Sequence, residues 1–117
     1  MTGAADSERS ALEIDSELKA DAARLTPVGE LDIATAPQLE QEVRSVLARS
    51  VREIVIDLSR LTFIDSSALR LFIVLNERSA EQGWTLSLVR PTEHVRRVFE
   101  LTGAEENLPF MDEKGRP

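Results

Sequence analysis

The chain contains no cysteine and no tyrosine, and only one histidine and one tryptophan. Without thiols there is no disulfide, no thiol nucleophile and no zinc site built on thiolates. With one imidazole and no phenol, the usual stock of general bases and nucleophiles is nearly empty. The five glycines are isolated, so no glycine-rich loop can cradle a phosphate, and no Gly-x-Ser-x-Gly elbow occurs. No apolar stretch approaches the roughly 20 residues that span a bilayer. The opening Met1 to Ser10 has neither the basic start nor the apolar run of a secretory signal. Positive charge is also short: 14 Lys and Arg against 21 Asp and Glu leave a net charge of −7. That balance disfavours nucleic acid and anionic membrane surfaces as partners. What remains is 117 residues, 42% hydrophobic and 30% charged, enough for one folded domain. These deficits point to a cytoplasmic binding module rather than an enzyme, with no cofactor and no metal.

Small and polar residues at 1–9 and the stretch 112–117 read as tails, leaving 10–111 as the domain. Ala11 to Leu18 alternates apolar and polar residues, as a half-buried strand does. Ala22 to Leu31 is a weaker strand candidate, broken by Pro27 and Gly29, with Lys19-Ala20-Asp21 as the hairpin turn between the two. Thr35 is placed to cap a helix, with Pro37 in its first turn and Gln38 completing a capping box. Leu39, Val43, Val46 and Leu47 then form one apolar stripe, and Glu40, Glu42, Arg44 and Arg49 face water.

Ile54-Val55-Ile56 before Asp57-Leu58 suits a central strand covered on both faces. A second helix is predicted from Ser66 to Gln82, ended by Gly83. Trp84 to Val89 reads as a strand. A third helix follows, capped by Thr92, carrying Val95, Val98, Phe99 and Leu101, and stopped by Gly103. Leu108-Pro109-Phe110 is a last extended piece that packs back on the core. Strands alternating with helices predict an α/β fold: one mostly parallel sheet, mixed because of its N-terminal antiparallel hairpin, with helices packed on it.

One segment stands apart. The run Leu61-Thr62-Phe63-Ile64 ends abruptly in Asp65-Ser66-Ser67, and an apolar helix follows. Asp65 or Ser66 can accept from the first free amides of that helix, so the local sequence alone is accounted for by a cap. Ser67 then falls in the first turn, where backbone N–H groups and the dipole favour an anion.

Three pieces in order carry a resemblance: Gly29-Glu30-Leu31-Asp32 with Thr35-Ala36-Pro37, then Ile54-Val55-Ile56-Asp57-Leu58-Ser59, then Phe63-Ile64-Asp65-Ser66-Ser67-Ala68-Leu69. Together they resemble the STAS domain in the form found in bacterial anti-sigma factor antagonists, over roughly residues 11 to 111. The resemblance implies a STAS-like single domain in which Ser67, with Ser66 as the alternative, is phosphorylated. It implies a partner-binding surface of Asp32, Thr35, Asp65, Ser66, Ser67 and Ala68. The implied partner is an anti-sigma factor serine kinase of the GHKL type, whose capture releases a sigma factor; the implied pattern also leaves room for a serine phosphatase. Ala68 departs from the family, which often has glycine there, and its methyl fills space beside Ser67.

Simpler readings stand beside these. Asp32 is equally a polar strand end, and Asp57 sits at the mouth of its strand, bonded to nearby backbone. His94 is a surface residue, and Arg90, Arg96 and Arg97 form a solvated face. The second helix has more apolar residues than one stripe needs, which leaves Leu71 and Val74 for an exposed patch. Two rival functions remain: a scaffold subunit of a signalling complex or membrane lipid transporter, and an enzyme with Asp57 and Asp65 as an acidic metal pocket.

Overall fold

The computed structural model describes residues 11–111. The tails expected at 1–9 and 112–117 lie outside the described residues. The elements are β1 (Leu12–Lys19), β2 (Ala22–Leu31), α1 (Ala36–Leu47), β3 (Glu53–Asp57), β4 (Leu61–Ile64), α2 (Ser66–Gln82), β5 (Thr85–Val89), α3 (Glu93–Thr102) and a 3-10 turn, Ala104–Asn107. The sheet runs β1-β2-β3-β5, with β4 also paired to β2. Only the β1–β2 hairpin is antiparallel; β2–β3, β2–β4 and β3–β5 are parallel. The mixed, mostly parallel α/β sheet is thus the one the sequence predicts.

Strand β2 is the hub. It pairs with β3 through Ala22–Leu25 and with β4 through Gly29–Leu31. The break expected at Pro27 and Gly29 is not there: β2 continues through both. Residues 26–28 fall between the two parallel ladders, a seam where a residue without an N–H is tolerated. Gly29 occupies a bulge at φ +120°, and a Cβ there would stand 2.1 Å from the Ala11 carbonyl oxygen. That oxygen instead accepts the Glu30 N–H at 2.8 Å. Strand β4, at four residues, is too short to show a period in the sequence.

Side chains alternate across each strand. Ala23, Leu25, Ile54, Ile56, Leu86 and Leu88 are buried on the sheet face that packs against the helices. Onto them come Leu39, Val43 and Val46 of α1, Leu69, Phe72 and Leu75 of α2, and Val95 and Phe99 of α3. The Phe72 and Phe99 rings lie 6.3 Å apart, and Phe110 meets Phe99 edge-on at 5.4 Å. Phe110 is held there because the last extended piece pairs with β5: Leu88 donates to the Pro109 carbonyl at 3.0 Å, and Met111 to the Leu88 carbonyl at 2.8 Å.

Several local expectations are corrected. Thr35 makes no side-chain cap of α1 and Gln38 forms no capping box. At φ −105°, ψ −16° Thr35 is already helical, whereas a capping side chain needs an extended backbone. Gln38 donates instead to the Leu12 carbonyl at 3.0 Å, tying α1 to β1. Thr92 makes no side-chain cap either. Gly83 and Gly103 do end α2 and α3, at φ +81° and +76°. Leu101, carried by α3, is 80% exposed, because two positions beyond Phe99 it lies on the helix face opposite the buried Val95 and Phe99. In α2 Leu71 is buried and Val74 half-buried, while Ile73 is the exposed one. Arg90 and Arg96 are not a free solvated face: both grip Glu105, at 2.9 and 2.8 Å, and Arg90 lies 5.0 Å over the Phe110 ring. His94 is exposed, as read from the sequence.

Candidate functional site: the first turn of helix α2

Two chain turns meet beside the start of α2. The first follows β2. There the Asp32 Oδ1 atom accepts the N–H groups of Ala34 at 3.0 Å and Thr35 at 3.1 Å. The Thr35 hydroxyl donates to the Glu30 carbonyl at 2.8 Å and accepts the Asp32 N–H at 2.9 Å. These local bonds replace the cap that Thr35 does not make, and they stiffen the turn carrying Ile33.

The second turn follows β4. Asp65 has an extended backbone, φ −123° and ψ −174°, so its carboxylate folds over the helix start. Oδ1 accepts the N–H of Ser67 at 2.9 Å and of Ala68 at 3.2 Å. Oδ2 reaches across to the Ile33 N–H at 3.2 Å, and the Asp65 N–H donates to the Leu31 carbonyl at 3.3 Å. The reading left open between Asp65 and Ser66 thus resolves to Asp65 as the cap.

The six residues assigned to the partner surface divide by depth. Ser66 is exposed, and Asp32, Asp65 and Ser67 are half-buried. Thr35 and Ala68 are buried, at 8% and 0% exposure, and cannot themselves meet a partner. Thr35 acts by holding the Asp32 turn. The Ala68 methyl lies in the core, not at the surface beside the Ser67 hydroxyl. Next to these residues stands an exposed apolar side chain that sequence reasoning missed, Ile33 at 74%; Phe63, 46% exposed, is paired opposite Glu30 on the other face of the sheet. The signal was there: an isoleucine inside a polar turn has nothing in the sequence to pack on.

Ser67 opens onto a cavity of about 280 Å³ between α1 and α2, lined also by Ile33, Pro37, Arg70 and Leu71. Glu40, expected to face water, sits at the same cleft and bridges Arg78 of α2 at 3.0 Å and Arg44 at 3.2 Å. Hydrogen bonds from Arg78 and then Arg44 hold its carboxyl below the usual range. On the other face of the sheet, Asp57 takes the Ser59 N–H at 2.9 Å and pairs with Arg24 at 2.6 Å. Burial pushes the Asp57 carboxyl up, but hydrogen bonds from Ser59 and Arg24 outweigh it and hold it low. Asp57 therefore has the backbone partner expected at a strand mouth, and Arg24 in addition.

Asp57 and Asp65 are each committed to these local partners and form no common acidic pocket. Among the described residues no three His, Cys, Asp or Glu side chains come together to hold a metal. No described helix is long and apolar enough to cross a membrane. What the site does offer is a serine hydroxyl on a capped helix start, flanked by the exposed Ile33 side chain.

The profile of the family described as "Mlab, STAS domain" covers residues 14–111. BtrV of Bordetella bronchiseptica, provisionally named an anti-sigma factor antagonist, is 35% identical over 86 residues, 74% of each chain. The anti-sigma-B factor antagonist of Staphylococcus aureus is 30% identical over 82 residues, 67% of this chain and 72% of that one. The solved anti-sigma factor antagonist SpoIIAA in its unphosphorylated form superposes with a TM-score of 0.70 at 23% identity, over 85% of this chain and 86% of that one. The phosphorylated form of the Bacillus protein superposes at 0.61 and 24% identity, over 85% of this chain and 89% of that one. The reading of a non-enzyme agrees with these relatives. The mixed sheet, the capped Asp65-Ser66-Ser67 turn and the profile match together establish that the chain belongs to the STAS domain family.

Proposed function

We propose that this chain is an anti-sigma factor antagonist that docks on an anti-sigma factor serine kinase of the GHKL type and so releases a sigma factor. The docking surface consists of Asp32, Ile33, Asp65, Ser66 and Ser67. The observation that carries the reading is the Ser67 hydroxyl in the first turn of α2, within a surface that also exposes Ile33. Rigid turns beside exposed apolar anchors are what an interface needs, because little is lost in ordering them.

The docked kinase transfers the γ-phosphoryl group of its ATP to the Ser67 oxygen, forming the O–P bond as ADP leaves. The hydroxyl proton passes to a base of the kinase, since the Asp65 and Asp32 carboxylates beside it are engaged with backbone N–H groups. The phosphate adds about −1.5 to −2 charges. The α2 N-terminus favours that charge by about 0.3–2 kcal/mol, so the fold persists. Burying it in an interface beside Asp32 and Asp65 costs on the order of several kcal/mol, and each 1.4 kcal/mol is tenfold in affinity. The interface loses, and modification is a change of affinity rather than of fold. A serine phosphatase would reset the switch.

The test is a pull-down from the native cell with ATP present, followed by phosphosite mapping. The Ser67→Ala variant is expected to keep binding the captured kinase without being modified, and Ser67→Asp to bind it poorly. Modification mapped to Ser66 would transfer the role to that alternative. Equal binding by wild type and both Ser67 variants would overturn the switch. A stable complex indifferent to ATP would favour the scaffold reading instead.

A further inference from the structure

Arg70 is the charged residue closest in sequence to Ser67 along α2, and the two line the same cavity. They are three positions apart, which puts them on one helix face with Cβ atoms about 5–6 Å apart. Helical side chains lean toward the N-terminus, so Arg70 leans back over the turn that holds Ser67. Among the described residues Arg70 has no ion pair and no side-chain hydrogen bond, and it is exposed. The other charges at the cavity are already engaged: Arg78 with Glu40, and Glu40 with Arg44 as well. Asp65, next to the turn, is taken up by three backbone N–H groups. One uncommitted guanidinium therefore stands one turn from the proposed acceptor hydroxyl.

We propose that Arg70 is the positioning residue for the phosphorylated form, its guanidinium pairing with the phosphate on Ser67 and holding it against α2. The proposal rests on Ser67 being the modified residue and deepens that reading. A planar guanidinium can give two parallel N–H bonds to phosphate oxygens, which fixes the orientation of the group as well as its charge. In the unmodified chain no bond of its own ties the Arg70 guanidinium down, which leaves it available to a phosphate on Ser67. The helix N-terminus acts on the phosphate too, but it is the same whatever residue stands at 70.

The experiment needs no kinase. The full chain is made with phosphoserine incorporated at position 67 during synthesis, and its phosphate is titrated by ³¹P NMR. Arg70→Lys, Arg70→Gln and Arg70→Glu versions are treated in the same way. The second phosphate ionisation, ordinarily near pKa ~6, is expected lower in wild type than in Arg70→Gln by about half a unit or more. The lysine variant should retain most of that shift, and the glutamate variant should lie above the glutamine one. Added salt should shrink the differences. Four indistinguishable titrations, or a lysine variant no different from glutamine, would overturn the pairing. Because phosphoserine is installed directly, that failure would leave the kinase reading standing. Conversely, failure of any kinase to modify Ser67 would not alter the titration.

Discussion

The Asp65 carboxylate accepts the Ile33 backbone N–H at 3.2 Å across 32 residues of chain. Its other oxygen caps α2. One side chain therefore joins the most exposed apolar residue of the candidate surface to the helix that presents Ser67. Removing it should loosen both at once.

Asp65→Ala is expected to cost about 0.5–2 kcal/mol, the range for a lost N-cap. Asp65→Asn, which keeps an acceptor oxygen, should cost less. Urea unfolding measures both. Hydrogen exchange at the Ile33 amide should accelerate in the alanine variant by more than global destabilisation explains. Unchanged protection at Ile33 would show that the cross-turn bond does not hold the loop.

Gly29→Ala should be among the most damaging single changes in the chain. The new methyl would meet the Ala11 carbonyl oxygen at 2.1 Å, at a φ of +120° that L side chains rarely adopt. Backbone strain of this kind costs on the order of 1–3 kcal/mol before the clash is counted. The expected reading is a large fall in Tm with loss of β1–β2 pairing, seen as rapid exchange along the hairpin.

Acid should destabilise the fold in a particular way. Asp57 and Glu40 both have carboxyls held below their ordinary values in the folded state, so the unfolded chain binds their protons more readily. Their contribution is present above the unfolded values, about 3.9 for Asp and 4.3 for Glu, and is lost as pH falls through the depressed folded ones. Asp57→Asn should flatten the acid limb of a stability-against-pH curve while lowering stability at neutral pH. An acid limb as steep as that of wild type would place the linkage elsewhere.

Ile33→Asp should leave thermal stability unchanged, because the side chain is 74% exposed. It should nevertheless weaken capture of the partner kinase by about tenfold or more, as expected for an apolar anchor worth over 1.4 kcal/mol. Calorimetric titration against the captured kinase gives the value. Wild-type affinity would remove Ile33 from the docking surface.

The larger elements were legible because their signals are redundant. Helix α2 has a cap residue, an apolar stripe and a terminal glycine, and the three agree. The misreadings have a different cause: residues whose usual preference was overruled by the particular partners around them, some distant in the chain and some near. Pro27 and Gly29 read as strand breakers, yet Pro27 falls in the seam between the β3 and β4 ladders and Gly29 in a bulge against Ala11. Thr35 reads as a cap, yet its hydroxyl turns back to Glu30. At the site, Asp65, Ser66 and Ser67 could be found from sequence because they are contiguous. The exposure of Ile33 could be suspected from its polar turn, but its place beside Ser67 could not, since that depends on a bond from residue 65 to residue 33 that no spacing reveals.

Trp84 lies at the far end of α2 from Ser67, buried to 7% exposure, its indole N–H donating to Gln82 at 3.1 Å. It lines a second cavity, of about 310 Å³, with Val43 and Leu47 of α1 and Leu75 of α2. The chain has no other tryptophan and no tyrosine. Its near-ultraviolet emission therefore comes from a single, well-defined place where α1 meets the foot of α2. Folding, and any shift of α1 against α2, can be followed optically without a label, by a chromophore too far from the docking turn to disturb it.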